Sequence, residues 1–132
     1  MTHWRACMIA FGGLAATVAA SSVAGKAQTT QPAAAIAGDE EAGREYYAED
    51  CRSCHSGAIA PTLKGLAGRG IAAVPGYTYS AGLKAKAGKS WNAKELNAFL
   101  ADPRSYAAGS KMVMKVEDPQ KRADIVAYLQ TM

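Results

Sequence analysis

The chain has 132 residues, enough for one compact domain and too few for a two-domain enzyme. Its 15 Lys and Arg against 11 Asp and Glu leave a formal charge of +4, too small for a surface that tracks a phosphate backbone, so nucleic acid is excluded as a partner. Apolar residues make up 49%, yet 29 of them are alanines against only 20 Leu, Ile, Val and Phe, so a packed core needs apolar volume borrowed from something the chain binds.

The first segment reads as a targeting signal. Arg5 precedes an uncharged run from Ala6 to Gly25, which ends around Gly25, Lys26 and Ala27, the layout of a secretory signal. The expected division is a signal peptide over residues 1–27, a flexible segment over 28–38 and a folded domain over 39–132. The most apolar part, Ala6 to Ala20, is 15 residues long, short of the roughly 20 that span a bilayer. The alternative is an uncleaved anchor with residues 28–38 as its tether. Export is expected to carry the protein to a bacterial periplasm. Removal of the signal takes Cys7 and His3 with it. Charge is then uneven: Gln28 to Asp50 carries one arginine against six acids, and the chain from Cys51 onward is net +7.

Three helices separated by long Gly/Pro-rich loops are expected, an all-α fold. Asp39 caps the first, on which Gly43, Tyr47, Cys51 and Cys54 fall at helical spacing on one face; both sulfurs then point inward. From Ser56 to Lys89 the glycines, with Pro61 and Pro75 and no apolar alternation, read as loop. Asn92 with Glu95 is a capping-box pattern and Trp91 with Leu96 a hydrophobic staple, opening a helix whose inner face is Leu96, Phe99 and Leu100 and which Pro103 stops. Asp118 and Pro119 open the last helix, with Ile125, Tyr128, Leu129 and Met132 as its apolar stripe. Arg104 to Glu117, carrying Met112 and Met114, is expected to lack regular structure.

The pentad Cys51-Arg52-Ser53-Cys54-His55 carries the chemistry. Two cysteines separated by two residues with a histidine next is the attachment sequence for c-type haem: two sulfurs bond one edge of a porphyrin and the imidazole reaches the iron. A Cys51–Cys54 disulfide would leave the small core unexplained. Zinc would need a fourth Cys or His that the mature chain lacks, and a thioredoxin-like dithiol would need strands. With one covalent haem and its iron as cofactor, the missing apolar volume is supplied. The sixth iron position decides between a carrier and a catalyst. No second histidine remains, and Met132 fits the stripe of the last helix better, so Met112 and Met114 stay as candidates.

The chain resembles small soluble class I cytochromes c over about Glu41 to Met132. The resemblance is carried by Cys51 to His55, Ala60 to Arg69, Pro75 to Ser80, Trp91 and Ala108-Gly109-Ser110-Lys111-Met112. It implies the class I fold around one haem, with Met112 rather than Met114 opposite His55. It further implies that the Pro61 carbonyl orients His55, that Arg69, Tyr79, Trp91 and Ser110 lie near the haem propionates, and that Gly43 and Tyr47 cross Ile125 and Tyr128. Ala108 stands where the family usually has proline, Phe99 where it has a tyrosine, and Leu83 where it has an asparagine. The function implied is one-electron transfer by a monomer that is not an enzyme, between redox proteins such as a membrane reductase or oxidase. Lys64, Lys84, Lys86, Lys89, Lys111 and Lys115 are expected to ring the haem edge, and membrane contact comes through partners or an uncleaved anchor. The alternative function is an open-site haem protein, peroxidase-like or gas-sensing; the chain offers no distal acid–base group for it.

Overall fold

The computed structural model describes residues 36–132; the expected signal and most of the segment after it lie outside them. Among the described residues the fold is helical, with isolated bridges at Gly70–Ser90 and Ala87–Lys89 instead of strands. Helix α1, Glu40–Tyr46, starts where expected: the Asp39 carboxylate accepts from the Ala42 amide at 2.9 Å, and Glu40 and Glu41 face the positive end of the helix dipole. From Tyr47 to Cys51 the helix widens into a π turn that buries Cys51, a distortion common beside functional sites. That turn ends the helix, so Cys54 lies beyond it and is exposed. Both sulfurs still face one cavity, Cys51 buried and Cys54 at its exposed edge.

Two short helices interrupt segments read as loop. Helix α2, Ala81–Lys84, is capped by Ser80 Oγ on the Leu83 amide at 3.3 Å. Helix α3, Ala93–Ala101, has Asn92 accepting from the Glu95 amide at 3.0 Å. The reciprocal half of the capping box is absent, because the Glu95 carboxylate is drawn to Tyr106 and Lys89. Pro103 follows the end of α3 and also opens α4, Pro103–Tyr106, whose cap Asp102 accepts from Arg104 and Ser105 at 3.1 and 3.0 Å. A proline that cannot continue one helix is suited to the first turn of the next. The final helix α5, Pro119–Leu129, is capped by Asp118 on the Gln120 amide at 2.7 Å.

The first and last helices cross where α1 has no side chain. A Cβ on Gly43 would overlap the Asp124 carbonyl and press on the Tyr128 Cβ, so glycine sets how closely the helices approach. Tyr47 and Tyr128 meet beside it with ring centroids 5.4 Å apart. The buried Asp124 carboxylate accepts from the Asp39 amide and from Gln120 Nε2, both at 2.8 Å. Gln120 Nε2 also reaches the Ala37 carbonyl at 2.9 Å, and Gly38 lies against Ala123. Packing on α5 therefore begins at Ala37, two residues inside the segment expected to be flexible. Leu66, Ile71, Leu83, Trp91, Leu96, Leu100, Val116, Ile125 and Leu129 belong to one buried cluster. It forms the back of a cavity.

Candidate haem site

The cavity has a volume of about 340 Å³, in the range of cofactor sites. Cys51, Cys54 and His55 line it, as do Met112 and Met114 from the strap between α4 and α5. Between these groups the lining is apolar. Leu63, Leu66, Tyr79, Trp91, Leu96, Phe99 and Leu100 are all part of it. α3 supplies the last three, and α5 adds Ile125 and Leu129 at the base.

His55 is held by its own segment. Its amide closes a turn onto the Cys51 carbonyl at 3.0 Å, and its Nδ1–H donates to the Pro61 carbonyl at 2.8 Å, which leaves Nε2 for a metal. Burial pushes the Cys51 thiol up to about 11, so the free thiol stays protonated near neutral pH. Cys54 sits at the exposed edge of the same cavity.

The residues expected near a propionate all line this cavity. Arg69 lines the cavity, and its guanidinium donates to the carbonyls of Lys64, Gly65 and Thr62 at 2.6, 3.2 and 3.4 Å, bracing the loop that carries Leu63 and Leu66. The Tyr79 hydroxyl accepts from the Val74 amide at 3.4 Å. Trp91 is buried and meets Phe99 at 5.3 Å between centroids. Ser110 also lines the cavity, and its buried Oγ lacks a hydrogen-bond partner. A buried hydroxyl without a partner costs free energy, and a carboxylate-bearing ligand in the cavity would supply one.

Some contributors were not legible along the chain. Ile59, Val74, Tyr77, Leu83 and Val113 also line the cavity. Tyr77 and Tyr79 pack edge to face at 4.8 Å, and Lys111 reaches across to the Thr78 carbonyl at 2.9 Å, stapling the methionine strap to that loop. The i, i+2 spacing of Tyr77 and Tyr79 was the available sign of an extended segment showing one face inward. Of the six lysines expected around the haem edge, only Lys111 lines the cavity. Lys89 and Lys115 pair instead with Glu95 and Asp102. Ile59 and Val113, 69% and 64% exposed, flank the cavity with apolar surface.

An apolar slot lined by two thiols, an imidazole and two thioethers, with a partnerless hydroxyl inside, suits a flat macrocycle with acidic substituents. The donor set fits haem and defines a c-type haem protein. The family model described as Cytochrome c matches residues 40–132, and the chain belongs to that family, as a class I monohaem member. It is 40% identical over 104 residues to the cytochrome c of Guizotia abyssinica, which covers 74% of this chain and 93% of that one. The cytochrome c-type cyt cy of Rhodobacter capsulatus is 35% identical over 104 residues, covering 75% of this chain and 52% of that protein. The solved structure of cytochrome cH from Methylobacterium extorquens superposes with a TM-score of 0.64 at 40% identity, covering 72% of this chain and all of that one. The protein therefore carries covalent haem c with its iron and transfers electrons through it, and is a carrier rather than an enzyme.

Proposed function

We propose that the chain holds its haem through the thioethers of Cys51 and Cys54, with His55 and Met112 as the two axial donors, and acts as a one-electron shuttle. Bound haem supplies a one-electron couple. The observation that carries the reading is that the Cys51–His55 segment and the Met112 strap line one apolar cavity. Pro61 fixes the tautomer of His55. Met112 packs against the buried cluster while Met114 does not belong to it, which supports Met112 as the inner donor. Ser110, Arg69, Tyr79 and Trp91 form the polar and aromatic surround of the propionates. Two protein donors on the iron leave no position for substrate, in keeping with transfer through the haem edge.

The reading extends to location and partners. Residues 1–27 act as an export signal, and the protein works as a monomer in a bacterial periplasm, passing electrons between redox proteins such as a membrane reductase and oxidase. Docking centres on the cavity mouth, where the apolar surface of Ile59 and Val113 adjoins Lys111. Because Lys89 and Lys115 spend their charge on Glu95 and Asp102, the steering charge is modest. The rate of electron transfer to an acidic redox partner is expected to fall with ionic strength; no dependence on salt would remove the electrostatic part of this docking. Mass spectrometry of native protein tests the rest, with haem expected on the peptide containing Cys51 and Cys54 and an N-terminus after Ala27. A haem-free peptide would overturn the attachment, and an intact N-terminus would replace the cleaved signal with an anchor.

A further inference from the structure

Two methionines face the same cavity, and the proposed ligation uses one. The strap from Lys111 to Lys115 alternates: Lys111, Val113 and Lys115 are exposed, while Met112 and Met114 are half-buried and both line the cavity. In an extended segment residues two apart point the same way, so both thioethers lie on the half-buried face of the strap, while the exposed Lys111 and Val113 line the cavity at its mouth. Met112 is also accounted for by packing against the buried cluster. Met114 is not part of that cluster, and it lies between the cavity and a shallow depression lined by Asp50, Lys115 and Lys121.

The strap is anchored at its ends and loose between them. The Ser110 amide donates to the Ala107 carbonyl at 3.0 Å and the Val116 amide to the Leu100 carbonyl at 2.9 Å. Among the described residues no backbone hydrogen bond is made from Lys111 to Lys115. The remaining ties are the long side chains of Lys111, to the Thr78 carbonyl, and Lys115, to Asp102 at 2.5 Å. Movement of the strap therefore breaks no backbone hydrogen bond, and a methionine side chain has three rotatable bonds with which to cover distance.

We propose that Met114 is a reserve iron ligand: when Met112 is lost, the Met114 sulfur takes the position opposite His55, and the iron keeps a thioether donor. The proposal rests on the His55 and Met112 ligation given above. It concerns only which sulfur is used, since a thioether replaces a thioether and no bond in the protein is made or broken beyond the metal bond.

The test uses haem-loaded protein with Met112→Leu, Met112→Ala, Met114→Ala and the double substitution Met112→Leu with Met114→Ala. Leucine preserves volume and packing, so a folded variant is available should alanine destabilise the strap. The readouts are the weak red-end sulfur-to-iron band of the ferric protein, the shifted methionine methyl resonance of the ferrous protein, and carbon monoxide binding. The expected result is that Met112→Leu keeps the band and binds carbon monoxide slowly, with the methyl resonance moved to a second position. The double variant loses band and resonance and binds carbon monoxide rapidly. Loss of the band in Met112→Leu alone overturns the proposal and leaves Met112 as ligand intact. So does an amine-type spectrum insensitive to Met114→Ala, which would give the position to a lysine. Loss in Met114→Ala alone overturns both the reserve role and the assignment of Met112, and a band that survives the double substitution overturns methionine ligation from this strap altogether.

Discussion

Replacing Gly43 with alanine opposes two effects of known sign. In an exposed helix the change would stabilise by about 1 kcal/mol, because alanine loses less backbone entropy than glycine. Here the added Cβ would overlap the backbone carbonyl of Asp124 and crowd the Tyr128 Cβ. Neither neighbour can rotate away, so the helices must separate. A gap of about 0.5–1 Å forfeits a quarter to a half of each dispersion contact along the crossing, and overpacking of this kind costs up to about 3 kcal/mol. The net expectation is a loss of about 2 kcal/mol, or roughly 8–16 °C in Tm for a domain of this size. Helix α1 and its π turn have 7 and 5 residues, a length that is marginal alone. Loosening the crossing should thus be felt at Cys51, where the turn ends. Thermal denaturation of the haem-loaded Gly43→Ala protein, followed by circular dichroism, measures it. A variant as stable as the parent, or more so, would refute the claim that the crossing has no room for a methyl group.

The caps and the acidic limb give further tests. Asp118→Ala removes the acceptor for the Gln120 amide at the start of α5 and is expected to cost about 1 kcal/mol, while Asp118→Asn, an equally good cap, should be nearly neutral; equal chemical-denaturation midpoints for the two variants would discount the cap. The Tyr106 hydroxyl, followed by Lys89, holds the Glu95 carboxyl below its usual range, and Lys115 with the Ser105 amide holds Asp102 well below its own. Carboxylates lowered on folding stabilise the protein above their unfolded pKa values, near 4, and that contribution is lost as pH falls through the lower folded values. Melting temperatures measured downward from about pH 5 should fall less steeply in Glu95→Gln with Asp102→Asn than in the parent; parallel curves would contradict the assignment. At the alkaline end, burial and then the Glu95 hydrogen bond hold the Tyr106 phenol above its usual value. Spectrophotometric titration should find Tyr106 and the half-buried Tyr47 ionising late, and Glu95→Gln should bring only Tyr106 earlier.

Much of the site was legible along the chain because its chemistry is local. Cys51 to His55 spans five consecutive residues, and the spacing that suits two sulfurs and an imidazole to one cofactor edge is a property of one helical turn. Asp39, Asn92 and Asp118 declared their helices because a cap bonds amides only two or three residues away. The scarcity of large apolar side chains likewise announced, without any structure, a core completed by a bound group.

Tertiary structure decided whatever depends on residues far apart in sequence. A π turn ends the helix before Cys54, so Cys51 is buried while Cys54 sits at the exposed edge of the cavity. Glu95 left its own helix terminus for Tyr106, 11 residues away, and two of the six lysines expected around the haem edge, Lys89 and Lys115, met Glu95 and Asp102. Composition counts charges, but only folding determines which are already satisfied. The same holds for Met112 and Met114: their i, i+2 spacing is plain in the sequence, yet that both look into one cavity follows from where α3, α5 and the Thr78 loop hold their strap.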